Sequence, residues 1–524
     1  MSESTRQAWE QKLLRQSKRS MLHIIFSRTV IITLMLLLNF FLVFSFLFEL
    51  FEGITLVFGG LAVATAVMLI IILNSDDEPA FKLSWCIVIA VLPLFGIVLY
   101  TFVHLDFGGR LFKRLLDKSI RSSFPYIPDS TETVHKLQQE DPSSAGIARY
   151  LHEYGNAPTY ANTDVRYFPL GEDKFKEMLI QMEKAAHFIF LEYFIIYPGS
   201  MWGQILDILC RKAKEGVEVR VLYDGMNAMT NLPHSYPRQL EKLGIQCKMF
   251  SPVRPFISTH YNNRDHRKIL VVDGHTAFTG GINLQDRYIN QEEVFGHWKD
   301  TAVMVHGEAA YGFTLMFLQM WNANERDQTY APYLQSCRSV SAPGYVIPYG
   351  EDPTRSERVA KTVYLSILNQ ARDYVYIMTP YLILDKEMTD ALQFAAKRGV
   401  DVRIVLPHIP DKRTAFALAK SHYRELTDAG VKIYEYTPGF VHGKVFLSDD
   451  TCGVVGSINL DYRSLYLHYE CAAYLYKVPA LSDIKADFFD TMEKSQLITP
   501  EDVKNRSLLS RIVAALLKVV APLM

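Results

Sequence analysis

Two sets of histidine, lysine and aspartate recur in this chain with one spacing. His266, Lys268 and Asp273 lie in HRKILVVDGHTAFTGGIN, and His442, Lys444 and Asp449 lie in HGKVFLSDDTCGVVGSIN. A glycine and an asparagine follow each set at matching offsets: Gly280 and Asn283, then Gly456 and Asn459. A single His-x-Lys on a strand is ordinary surface. Five matched positions occurring twice point to one active centre assembled from two halves.

The chemistry that needs two imidazoles and two ammonium groups is phosphodiester exchange. Lysine ammonium groups and asparagine amides hold non-bridging oxygens and stabilise the charge of a five-coordinate transition state. One neutral imidazole attacks phosphorus and becomes a phospho-histidine. The other, protonated, donates to the leaving alkoxide and then deprotonates the incoming alcohol or water, a task suited to a side chain with a pKa of about 6.5. The lysines supply the positive charge, so this chemistry requires no metal and no cofactor.

Strands must position these groups. HRKILVVD and HGKVFLSD read as β-strands, in which side chains two apart share a face. His266 and Lys268 therefore point together, as do His442 and Lys444. Asp273 and Asp449, seven positions after each histidine, have odd parity and are expected to anchor structure more than to touch substrate. Gly280-Gly281 and Gly456-Ser457 permit tight turns that bring Asn283 and Asn459 near the His-Lys face. Asn283, Asn459 and Ser457 are candidate phosphate-binding or supporting residues. Each imidazole also needs a partner to fix its tautomer. By position the candidates are Glu470 in the second half and Asp300 in the first.

The duplication extends beyond the motifs. AKEGVEVRVLYDG (213–225) is echoed by AKRGVDVRIVLPH (396–408), HFIFLEYF (187–194) by YVYIMTPY (374–381), and LGIQCKMF (243–250) by AGVKIYEY (429–436). In both halves the order is strand, helix, strand, helix, strand, histidine motif. Strands alternating with helices predict an α/β fold with an open sheet in each half, the two halves related by a pseudo-two-fold axis. The expected boundaries are 160–335 and 336–500, with a linker over 126–159.

The remainder points to a membrane. Three apolar segments, about 29–48, 54–73 and 83–103, each reach the ~20 residues needed to cross a bilayer core. They define a membrane region over 1–125, with two or three crossings. Pro93 breaks the third segment in one reading; in another the first two form a shallow hairpin. Basic flanks (Arg6, Lys12, Arg15, Lys18, Arg19 and Arg28; then Arg110, Lys113, Arg114, Lys118 and Arg121) place the catalytic part on the cytoplasmic face of the cell membrane. The apolar tail, 501–524, reads either as a membrane-surface helix or as one packed on the protein's own core. The net charge of -1 argues against a nucleic-acid partner. Six scattered cysteines without a C-x-x-C pair argue against a disulfide framework or a zinc site.

At the duplicated motifs the chain resembles the phospholipase D superfamily, whose signature is His-x-Lys-x-x-x-x-Asp followed by Gly-Gly/Ser-x-Asn. Within it, NNRDHRKILVVDG with FTGGINLQDRY, and FVHGKVFLSDD with VGSINLDYRSLYLHYE, are similar to the bacterial cardiolipin synthases. So are the N-terminal apolar region and the tail ending in Pro-Leu-Met. Asp265 stands where an asparagine is common. The resemblance implies two tandem phospholipase D-like α/β sandwich domains and transfer of a phosphatidyl group. One phosphatidylglycerol would donate it to histidine and release glycerol, and a second would collect it. The resemblance also implies that the acidic residue after each motif, Glu470 or Asp300, pairs with a catalytic histidine, and that His266 is the nucleophile with His442 as acid and base. A membrane phospholipase D that uses water or another alcohol is the alternative. A nuclease and a scaffold with vestigial motifs fit the residues less well.

Overall fold

A computed structural model describes residues 36–41, 54–104, 107–251, 263–334, 339–504 and 508–523. The first half builds a seven-stranded sheet. Its strands are β1 (Thr163–Phe168), β2 (Phe188–Tyr193), β3 (Glu218–Asp224), β4 (Gln246–Phe250), β6 (Lys268–Val272), β7 (Thr276–Gly280) and β9 (Ala302–Gly307), in the order β1-β9-β7-β6-β2-β3-β4. Two short strands stand apart from it, β5 (Arg264–Asp265) and β8 (His297–Lys299). The second half repeats the plan with β10 (Tyr345–Glu351), β11 (Tyr374–Met378), β12 (Asp401–Pro407), β13 (Lys432–Tyr436), β15 (Val445–Ser448), β16 (Cys452–Gly456) and β17 (His468–Tyr476). Their order is β10-β17-β16-β15-β11-β12-β13, with β18 (Ser495–Leu497) added at the edge. A short strand, β14 (Gly439–Val441), precedes the second motif.

In each half the parallel trio (β2, β3, β4; β11, β12, β13) joins an antiparallel set through the motif strand, β6 or β15. The centre explains the residue types. FIFLEY of β2 and YVYIM of β11 are buried along their whole length, the pattern of strands covered on both faces. Helices Ser200–Lys214 and Lys386–Lys397 end at Gly216 and Gly399, whose φ of 92° and 100° is the left-handed cap that glycine adopts without a Cβ penalty. The sheets share one apolar core. It includes Val271, Val303 and Phe317 from the first half and Tyr376, Val445 and Tyr469 from the second.

The halves also interlock through short strands. β5 pairs in parallel with the start of β17, Arg264 opposite His468 and Asp265 opposite Tyr469. β14 pairs in parallel with β8, Phe440 opposite Trp298 and Val441 opposite Lys299. In each case the strand leading into a motif histidine is held by the other half.

The structure adds detail to the expected layout. The expected linker, 126–159, is structured. It includes helices Thr131–Glu140 and Pro142–Gly155, whose Val134, Leu137, Ala148 and Leu151 are buried in the core of the second half. The third apolar segment is two helices, Pro79–Val91 and Pro93–His104, because Pro93 removes an N–H and crowds the preceding turn. They fold back on each other, Trp85 edge-on to Tyr100 at 5.3 Å. The second segment is one helix, Ile54–Leu73, with Val63, Val67 and Ile70 exposed. The first segment lies mostly outside the described residues. Among the described residues no helix is long and apolar enough to cross a membrane. The tail forms helix Leu508–Val520, which packs against helices Arg413–Thr427 and Pro79–Val91 while leaving Ile512, Val513 and Leu516 exposed.

Candidate active site

The register of the interlocking strands determines what each histidine meets. His266 follows Asp265 as Glu470 follows Tyr469, and the His266 N–H donates to the Tyr469 carbonyl at 2.9 Å. His442 follows Val441 as Asp300 follows Lys299, and its N–H donates to the Lys299 carbonyl at 2.6 Å. The side chains follow suit. His266 Nδ1 lies 2.8 and 2.9 Å from the two Glu470 oxygens, and His442 Nδ1 lies 2.6 Å from Asp300 Oδ2. Both expected carboxylates therefore meet imidazoles, but crosswise: each half supplies the acid for the other half's histidine.

Both carboxylates are fully buried and both histidines are 7% exposed. A carboxylate only accepts, so Nδ1 carries the proton and Nε2 keeps its lone pair. Aromatic rings flank each imidazole: Phe194 is 4.9 Å from His266, and Trp298 and Tyr288 are 5.3 and 5.4 Å from His442.

The turn after each motif is fitted to its carboxylate. At Gly281 a Cβ would lie 2.1 Å from Asp300 Oδ1, so only glycine leaves room. Its counterpart Ser457 instead donates its hydroxyl to Glu470 Oε2 and accepts from the Cys471 N–H at 3.0 Å. Ser457 thus supports Glu470. The two asparagines differ from each other. Asn283 is committed to the fold, its Oδ1 accepting from the Ile195 N–H (3.1 Å) and its Nδ2 donating to the Tyr288 hydroxyl (2.8 Å). Asn459 donates to Asp461 at 3.2 Å, and its Oδ1 has no hydrogen-bond partner among the described residues.

Each motif aspartate is consumed by backbone. Asp273 accepts the N–H groups of Ala186, His187 and Phe188, each at 2.8 Å. Asp449 accepts those of Arg372, Asp373 and Tyr374 at 2.8, 3.0 and 2.8 Å. Both sit at φ near 50°, a conformation aspartate tolerates. These bonds pin the start of β2 and β11 to the end of β6 and β15. Asp273→Ala orphans three donors and is expected to destabilise the protein by about 2 kcal/mol or more. Urea unfolding checks this, and an unchanged midpoint would contradict the anchoring role.

Lys268 and Lys444 are each 1% exposed and direct Nζ to the carbonyl of their own motif histidine. Burial lowers their proton affinity, Lys268 to about 8 and Lys444 to about 7. Burial likewise pushes His442 down to about 4, helped by the Lys444 charge and opposed by Asp300. Lys444 Nζ is 2.9 Å from His442 Nδ1; since Nδ1 bears the proton shared with Asp300, that contact is repulsive. His266 is held well below the usual imidazole range by burial and then by Lys268 and Lys444. Burial pushes Asp300 up, yet His442 and Lys444 outweigh it and hold the carboxyl low. Both imidazoles are thereby held toward the neutral form.

This places a stability cost at the site. From pH 10.5 down to about 7 the unfolded chain binds a proton at Lys444 that the folded chain does not. Stability due to this group therefore falls as pH is lowered through that window. Lys444→Met is expected to raise the melting temperature at pH 7, with a smaller gain at pH 10. Thermal unfolding at the two pH values checks this, and a gain that does not shrink with pH would contradict it.

The site also includes groups outside the two His-Lys-Asp sets. His468 lies two residues before Glu470, hence on the same strand face. Its Nδ1 is 3.6 Å from Glu470 Oε1, and its ring centre is 5.3 Å from that of His266. His266, His468 and Glu470 have metal-ligating atoms within 4.8 Å of one another. The bond of Glu470 to His266 and the nearby lysines favour an imidazole–carboxylate relay over a bound dication there. Beside them Glu192 and Asp265, both fully buried, face Arg267. Burial raises both, Asp265 to about 7, more than Arg267 lowers it.

This two-half arrangement has matches among known proteins. Residues 178–321 and 364–492 match the family described as cardiolipin synthase, PLD-like domain. The chain belongs to the cardiolipin synthase family. Its members are phosphatidyltransferase enzymes of the phospholipase D superfamily. Residues 63–103 match a second family, described as phospholipase D-nuclease N-terminal. A cardiolipin synthase of Alkalihalophilus pseudofirmus is 35% identical over 467 residues, 87% of this chain and 91% of that protein. An uncharacterized protein of Streptococcus mutans serotype c is 53% identical over 454 residues, 86% of this chain and 98% of that one. Among solved structures, phosphatidylserine synthase of Haemophilus influenzae Rd KW20 superposes with a TM-score of 0.54 at 16% identity, covering 72% of this chain and 98% of that one. That likeness concerns the fold alone.

Proposed function

We propose that this enzyme joins two phosphatidylglycerol molecules into cardiolipin and glycerol through a phosphatidyl-histidine. The observation that carries this reading is the pair of buried, crosswise His–carboxylate dyads, each leaving an imidazole Nε2 lone pair. Nε2 of His266 attacks phosphorus, and the bond from phosphorus to the glycerol oxygen breaks. His442, protonated once phosphate occupies the site and Asp300 stabilises its imidazolium, gives that proton to the departing oxygen. A hydroxyl of the second phosphatidylglycerol then returns a proton to His442 and attacks phosphorus. The P–N bond breaks, and neutral His266 is restored. Lys268 and Lys444 neutralise the oxygens through which charge passes. Asn459, with an unpartnered Oδ1, can meet a substrate hydroxyl, whereas Asn283 holds the first half's loop.

Transfer requires that a lipid hydroxyl reach the intermediate before water does. The buried histidines and their aromatic flanks favour this. The apolar N-terminal segments would hold the site at the cell membrane, with the basic helix Phe107–Ser123 on its cytoplasmic side. Purified enzyme given phosphatidylglycerol should release glycerol in step with a four-chain lipid. Phosphatidic acid as the main product would instead make it a hydrolase.

A further inference from the structure

Between the helical pair Pro79–Val91 and Pro93–His104, the C-terminal residues and the second half lies a cavity of about 520 Å³. Volumes of roughly 300–1,000 Å³ are usual for ligand sites. Its apolar wall is Phe81, Trp85, Leu99 and Val103 from the pair, Leu467 from the second half and Leu523 from the C-terminus. The wall is fixed in place: Phe81 packs edge-on against Tyr462 and Tyr466 at 5.7 and 5.8 Å, and the Ser84 hydroxyl donates to the Val519 carbonyl at 2.5 Å. Its polar side carries Asp76, Asp77 and Glu78 with Asn263 and Arg358, and Asp77 lies 3.9 Å from His104.

Two features give this cavity an occupant. The first is its floor. Asn263 immediately precedes Arg264, and Leu467 immediately precedes His468. Arg264 and His468 are the register partners that open the β5–β17 pair, which sets His266 against Glu470. The cavity therefore begins one residue from the strands that build the first dyad. The second is its outer wall. The same two helices expose Leu83, Val91, Val98 and Phe102 to 61, 68, 42 and 51%. These exposed apolar side chains share their helices with Phe81, Trp85, Leu99 and Val103 of the cavity wall.

We propose that this cavity holds a fatty-acyl chain of the phospholipid whose phosphorus is attacked at His266. The proposal rests on the reading of a phospholipid as substrate. Its site lets the enzyme draw a lipid sideways along the helical pair, with the phosphate brought to the dyad by the chain it leaves anchored.

The test uses the full chain in phospholipid nanodiscs with phosphatidylglycerol carrying a diazirine at one acyl-chain end. After irradiation, label is expected on peptides bearing Trp85, Val103 or Leu467. Label confined to the outward residues Val98 and Phe102 would overturn the proposal. Kinetics give a second readout. Leu467→Trp and, independently, Val103→Trp fill the cavity from opposite walls. Each should cut the ratio of kcat/KM for long-chain over dihexanoyl phosphatidylglycerol by about tenfold. An unchanged ratio in both would overturn it. Cardiolipin formed by variants with an unchanged ratio would sink the cavity and spare the transferase reading; labelling in the cavity without cardiolipin formation would do the reverse.

Discussion

Replacing His266 by alanine is expected to lower phosphatidyl transfer by on the order of 10⁴-fold or more, and His442→Ala should do the same. The two losses have different causes. Without His266 no P–N bond forms, so no glycerol appears even as a single burst. Without His442 the leaving glycerol has no proton donor and the acceptor hydroxyl no base. Because the residues act as a unit, the double variant should be no worse than either single one. Initial rates with radiolabelled phosphatidylglycerol check this. Multiplicative losses in the double variant would mean that each histidine works alone.

The second large effect concerns the carboxylates. Glu470→Gln should lower transfer by on the order of a hundredfold or more, and Asp300→Asn likewise, because an amide can hold Nδ1 in the wrong tautomer and cannot stabilise an imidazolium. The crosswise pairing makes the prediction specific. Glu470 belongs to the second half but serves His266, so Glu470→Gln should suppress the first burst of glycerol. Asp300→Asn should slow the same step by weakening proton donation from His442. If each acid served its own half's histidine, Glu470→Gln would change the ring tautomer of His442 and leave that of His266 unchanged. The structure predicts the opposite pattern. Ring nitrogen chemical shifts of the two histidines in the Glu470→Gln and Asp300→Asn variants distinguish them.

Strand parity is why much of the site is legible in the chain itself. Spacing by two aligns His266 with Lys268 and His442 with Lys444, and the repeated strand–helix order forecasts two equivalent sheets. The crosswise pairing is not legible, since Glu470 lies 204 residues from His266 and Asp300 142 residues from His442. Local spacing says nothing about which half a short strand will join. His468 had a usable signal, because it alternates with Glu470 on one strand. Asn283 had none: its offset matches that of Asn459, but only packing shows that Ile195 and Tyr288 occupy its amide. The helices within 126–159 were hidden because their apolar residues are few and meet the second half only in the fold. Pro93 carried a signal in plain sight, and it divides the third apolar segment.

The claim that the two halves form one centre is tested most directly by trapping the intermediate. Enzyme quenched during turnover of phosphatidylglycerol and analysed by peptide mass spectrometry should carry at most one phosphatidyl group per chain, on His266. Simultaneous modification of His266 and His442 in one chain would show two independent sites and contradict the account.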